Sequence, residues 1–172
     1  MKPTIIFKEG REGEMTLDAI KGIALTRLDG KDIIIFPKYK ALPLLEQSRI
    51  KDWKEPYIDD EIEALYAPNR SKKITDGLLK LDSPAAKFVR SVSEDFDIPG
   101  MLSVAAIRHH REEIDALAEQ IKGADRIGGS YLWSCFRSGT YSAWYAGGNY
   151  AFFGNYSYMY DTYVVVPVAQ YS

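Results

Sequence analysis

From Tyr131 to Ser172 the chain carries two charged residues, Arg137 and Asp161, against forty-four before that point, and nine of its twelve tyrosines. This asymmetry limits what the segment can become. It is too rich in aromatic and β-branched residues to stay a solvated loop, and Gly, Asn, Ser and Asp interrupt it too often for a long helix. It divides into four short strand-like runs, "SYLWSCF", "YSAWYAG", "YAFFGNYSY" and "TYVVVPVAQY". The proline in "VVVPV" marks a strand end, an edge or a bulge, because it cannot donate to a ladder.

The preceding residues follow other periods. "GIALTRLDGKDIIIFPK" (residues 22–38) reads as two strands around an Asp29-Gly30 turn, with "PTIIFKEG" as a short strand before them. Pro43, Pro56 and Pro68 break residues 39–81 into an irregular stretch, with one short helix over "IDDEIEALY". A helix starts at Ser83, a natural N-cap with Pro84 in the first helical position, and would bury Phe88, Val89 and Val92. A second is predicted from about Ser103 to Lys122, closed by Gly123, with Val104, Ile107, Ile114, Leu117 and Ile121 on one face. The order is strands, two helices, then strands. This predicts one α+β domain over 1–172, with opening strands in 1–45, the helices in 83–122 and strands and loops in 131–172.

A net charge of -2 with no basic stripe disfavours nucleic acid as a partner. No window approaches the apolar length of a membrane helix. The first residues lack the long apolar core of a secretory signal, so the chain is expected in the cytosol, or assembled into a virion or surface structure. A single cysteine, Cys135, excludes an internal disulfide and any CxxC pair.

Four stretches together resemble a known family: "SPAAKFVRSVS", "DIPGMLSVAAIRHHREEIDALAEQI", "YLWSC" with "YSAWYA", and "YVVVPV". Their order is similar to that of C-type-lectin-like domains of the formylglycine-generating-enzyme type, as found in variable proteins of diversity-generating retroelements in gut bacteria and their phages. The likeness spans about residues 83–171. It implies a C-type-lectin-like fold, with two helices on short antiparallel strands and an N-terminal β-hairpin. Phe136-Arg137 stands where the family usually has Thr-Glu, Val165 or Val166 where it has an arginine, and Phe96 where it has a tryptophan.

Catalysis is not expected. The formylglycine-generating enzymes use a reactive cysteine pair, and Cys135 is alone in an apolar strand. His109 and His110 are adjacent, so a helix would point them about 100° apart. Asp59, Asp60 and Glu61 read as a solvated loop or helix N-terminus. Calcium needs six to eight oxygens, and Asp161 with Asn149 and Asn155 is too thin a set. No cofactor or metal is expected.

Tyrosine among Ser, Gly and Asn is the composition of binding surfaces, stiff in its anchors and adaptable in its polar groups. Strand alternation with Trp133 and Trp144 inward would turn other residues to solvent. The candidate ligand-binding residues are Phe136, Arg137, Tyr141, Tyr150, Phe152, Asn155, Tyr156, Tyr158, Tyr160 and Asp161, with Arg137 and Asp161 supplying charge selection. The predicted partner is a protein or cell-surface ligand, with a glycan and a second copy of the chain as further candidates. Residues 136–163 contain no Lys, Glu or Gln. Randomising adenine-rich codons leaves that depletion, so the resemblance implies a diversified surface. The alternatives are a glycan-binding module and a structural piece of a phage or cell-surface fibre.

Overall fold

The computed structural model describes residues 1–147 and 153–171. Strands β1 (Thr4–Phe7), β2 (Ile20–Thr26) and β3 (Asp32–Ile35) form an antiparallel meander. Gly30 closes the β2–β3 turn at φ 83°, a left-handed conformation that glycine adopts without strain. Ile33 and Ile35 of β3 face one cluster of buried residues and Ile34 faces another, as a period of two requires.

Residues 39–81 pack down instead of forming a loose loop. They contain β4 (Lys40–Leu42), a 3₁₀ turn (Gln47–Asp52), α1 (Glu61–Leu65) and α2 (Ser71–Leu79). Leu44, Leu45, Ile50, Trp53, Ile74 and Leu78 all lie in the core. Helix α2 escapes sequence detection because Gly77 interrupts it and its buried face is only Ile74, Thr75 and Leu78.

Helix α3 (Pro84–Val92) starts as the sequence predicts: the Ser83 hydroxyl accepts the Ala86 N–H at 3.0 Å, and Pro84 fills the first turn. The expected 103–122 helix is two, α4 (Met101–His109) and α5 (Arg111–Ala118), which meet at His110. The break separates a helix buried almost all round from one with a single buried face. Two side chains hold the bend. Arg108 reaches the carbonyls of Gly128 and Ser130, and buried Asp115 accepts the N–H groups of Ile127 and Gly128 at 2.7 and 2.9 Å.

Among its described residues the final segment gives five strands, not four: β5 (Leu132–Arg137), β6 (Ser142–Ala146), β7 (Phe153–Tyr158), β8 (Tyr163–Val165) and β9 (Val168–Gln170). Val166-Pro167 is the corner where the chain leaves one sheet for the other. Strand β9 pairs with β3, giving the order β1-β2-β3-β9, while the second sheet runs β4-β8-β5-β6-β7. The β5–β8 pair is parallel, so the second sheet is mixed rather than purely antiparallel. Helix α4 packs on β5 and β6, and α2 on β5. The architecture is α+β with an antiparallel N-terminal sheet. No helix among the described residues is long and apolar enough to cross a membrane.

Candidate functional site

The second sheet sorts its aromatic residues into three groups. The indoles of Trp133 and Trp144 are buried, as alternation predicts, and each N–H is used: Trp133 donates to the Leu42 carbonyl at 2.9 Å and Trp144 to the Ile58 carbonyl at 2.6 Å. They fasten residues 42–58 to the sheet.

A second group packs sideways. The Tyr163 ring lies 4.7 Å from Trp133, 5.1 Å from Tyr145 and 5.2 Å from Tyr131 between centroids. The Tyr145 ring covers Gly154, its cross-strand partner on β7; a Cβ built there falls 2.2 Å from the Tyr145 Cζ. Only a glycine accepts a tyrosine ring at that distance.

The third group faces solvent. Tyr156 is 89% exposed, Tyr141 53% and Tyr158 50%. Strand β7 carries Tyr156 and Tyr158 and is the edge of its sheet. The Tyr158 and Tyr160 rings stack at 5.1 Å, only 5° from parallel. The turn is fixed by backbone: the Met159 N–H donates to the Tyr141 carbonyl at 2.9 Å, and the Asp161 N–H to the Tyr158 carbonyl at 2.8 Å. Met159 itself is fully buried, which anchors the tyrosines on either side. The Ser138 hydroxyl, 2.7 Å from the Asn155 carbonyl, ties β7 to the β5–β6 turn.

Of the predicted binding residues, the structure thus brings Tyr141, Tyr156, Tyr158, Tyr160 and Asp161 to one edge, with Asn155 half-buried beside them. Tyr150 and Phe152 lie outside the described residues. Phe136 and Arg137 do not join the surface; both are buried. The first reason is that β5 is a central strand buried at all six positions, so neither of its faces reaches solvent, and the second is a break in strand register. Between the pairs Trp133–Tyr145 and Arg137–Ala143, β5 advances four residues while β6 advances two. This irregularity discards the alternation on which outward placement rested. Phe136 packs against Gly100, whose built Cβ falls 3.3 Å from the Phe136 ring.

Arg137 is a structural clamp and not a selector of ligand charge. At 8% exposure, its guanidinium donates to the carbonyls of Trp53 (2.8 Å), Glu55 (3.2 Å), Gly139 (3.0 Å) and Thr140 (2.7 Å). It also lies 4.9 Å over the Trp53 ring. Desolvation lowers its pKa from the ordinary value, opposed by Tyr57 and Glu55. Residues 53–55, joined to β5 by this side chain, had no binding or catalytic signature in the sequence.

Cys135 is fully buried. Desolvation pushes its thiol up to about 12, although the Ser71 hydroxyl at 3.8 Å pulls the other way. A thiol so protonated is a poor nucleophile. The His109 and His110 rings lie 4.8 Å apart, His110 Nδ1 is 3.1 Å from the Glu113 carboxylate, and no cluster of three metal-ligating side chains occurs among the described residues. A groove of about 1180 Å³ lies over Ile34, Phe36 and Phe96 on the first sheet; it shares no lining residue with the tyrosine edge, and its rim mixes lysines with carboxylates.

No protein-family model matches the chain, and no curated protein matches it. Among solved structures it is similar to a fimbrial protein from Bacteroides ovatus, with 11% identity and a TM-score of 0.68, over 99% of this chain and 49% of that one. A likeness at that identity is one of fold, and this chain spans about half the length of the fimbrial protein.

Proposed function

We propose that this chain is a non-catalytic binding module of a cell-surface fibre, built on a C-type-lectin-like fold, whose Tyr141, Tyr156, Tyr158 and Tyr160 surface contacts a protein or cell-surface ligand. The observation that carries this reading is the division of aromatic labour in the second sheet. Both indoles are spent on internal hydrogen bonds, while Tyr156 stands 89% exposed on an edge strand beside a stacked tyrosine pair. Exposed aromatic patches on rigid sheets usually serve recognition. The fold likeness to a fimbrial protein supports the fibre setting. The burial and high pKa of Cys135 speak against thiol chemistry of the formylglycine-generating kind.

The finer reading, that residues 136–163 are diversified by a retroelement, rests on their lack of Lys, Glu and Gln. It requires a reverse-transcriptase gene beside this one, with a template repeat matching the last codons. Sequencing the gene's neighbourhood tests it directly.

Binding of the chain to intact cells and to arrayed glycans, measured beside the triple variant Tyr141→Ser, Tyr156→Ser, Tyr158→Ser, tests the binding role. Saturable binding by the parent, absent in a triple variant with an unchanged Tm, is the expected result. Equal binding by both would remove the tyrosine edge from the function. A second reading, a structural fibre subunit with this edge buried between copies, is favoured by the same fimbrial likeness. A stable oligomer that the triple variant dissociates would establish that alternative.

A further inference from the structure

We infer that the tyrosine edge takes a cationic group, and that its partner is a lysine- or arginine-bearing protein segment. The inference rests on the proposal that this edge is the binding face, and it adds the chemistry of the partner.

Arg137 is the one basic residue after residue 130, and its donors are spent on four carbonyls, so its guanidinium is not free to contact a ligand at the edge. The remaining charge of the segment is Asp161, in the turn that carries the stacked Tyr158–Tyr160 pair. Asp161 forms no salt bridge among the described residues. The Tyr160 hydroxyl is shifted up, first by desolvation and then by Tyr158, Asp161 and Tyr141, which places all three near it. The chain segment that meets this turn, through the Leu45 N–H on the Met159 carbonyl at 3.1 Å, runs straight into Glu46, a second carboxylate. Of the basic residues in the adjoining elements, Lys40 lies over the Phe88 ring at 5.5 Å and Arg49 pairs with Asp52 and Asp82, while Lys51 of the same turn has no ion pair among the described residues.

Phenol faces attract cations through the ring quadrupole, and an adjacent carboxylate adds to that attraction. An anionic ligand would meet the Asp161 carboxylate at this edge, with no basic side chain of the segment free to contact it. An ammonium or guanidinium on a flexible stem can lie on a ring face while its charge reaches Asp161.

Titrating the ¹⁵N-labelled chain with a hexalysine peptide, and with the same peptide acetylated on every lysine, tests the inference. Acetylation removes the charge and keeps the stem. The expected result is shift changes at residues 141 and 156–161 with hexalysine and several-fold weaker changes with the acetylated peptide. Asp161→Asn should weaken hexalysine binding about two- to fivefold, the range of an exposed ion pair. Tyr158→Leu should weaken it by a similar factor, the range of one exposed cation–π contact. Equal shifts with both peptides, no shift at these residues with either, or an unchanged Asp161→Asn variant would overturn the inference. Loss of cell binding in the triple tyrosine variant, scored separately, would still leave the edge as the binding face.

Discussion

Replacing Arg137 with leucine separates a clamp from a ligand contact. The substitution keeps an aliphatic stem and removes donors to four carbonyls. Only the Trp53 carbonyl bond lies in fully buried surroundings; the other three are part-buried, where water can take over. An orphaned buried acceptor costs about 1–3 kcal/mol, and the guanidinium over the Trp53 ring contributes about 0.5–1 kcal/mol more. With partial losses at the other carbonyls, the substitution should destabilise the chain by about 3 kcal/mol. For a chain of this size that lowers Tm by roughly 6–12 °C. Urea unfolding followed by tryptophan fluorescence reads the change, since Trp53 sits under the guanidinium. Lysine at 137 should recover only part of the loss, because one ammonium cannot reproduce the planar fork. Tyr156→Ser should change stability by no more than about 0.5 kcal/mol, as an exposed site does. An Arg137→Leu cost under about 1 kcal/mol would refute the clamp and return Arg137 to the candidate surface.

Other outcomes follow from the same geometry. Gly154→Ala should cost about 1–3 kcal/mol by driving Tyr145 off its neighbours, and less in a Tyr145→Ala background, a coupling that a double-mutant cycle measures. The Cys135 thiol should resist aromatic disulfide reagents in the folded chain and react at once in denaturant. Asp115→Ala should destabilise by about 1–3 kcal/mol in thermal unfolding, because it strands the buried N–H of Ile127, while water can take over at Gly128. Arg90 holds the Asp76 carboxyl below its unfolded value of 3.8. The stability this contributes is complete above that value and is lost as pH falls through the lower folded one. Acid unfolding of Asp76→Asn should therefore show a shallower dependence on pH in that window.

Legibility in the sequence followed the range of the interactions. The Asp29-Gly30 hairpin, the Ser83-Pro84 helix start and the indole-bearing strands depend on neighbours a few residues away, and all were readable. The break at His110 was not, because it depends on Arg108 and Asp115 reaching residues 127–130, which a helical period over 103–122 does not register. Strand β9 was hidden inside "YVVVPVAQY" because only pairing with β3 shows that the chain changes sheets at Pro167. The burial of Phe136 and Arg137 depends on β5 being a central strand covered on both faces and on its irregular pairing with β6, neither of which alternation counted along one strand can detect. The tyrosine edge was readable in kind, since a charge-free, tyrosine-rich strand on one side of a sheet has few other places to put its phenols.

The central claim is that one edge of a rigid sheet shows its phenols to water. Tyrosine nitration of the folded chain at low concentration, mapped by peptide mass spectrometry, tests it most directly. The account predicts Tyr156 modified first, Tyr141 and Tyr158 reacting in the same range as the exposed Tyr57 and Tyr66, and Tyr39, 8% exposed, spared until unfolding. Protection of Tyr156 and Tyr158 equal to that of Tyr39 in the monomer would contradict it.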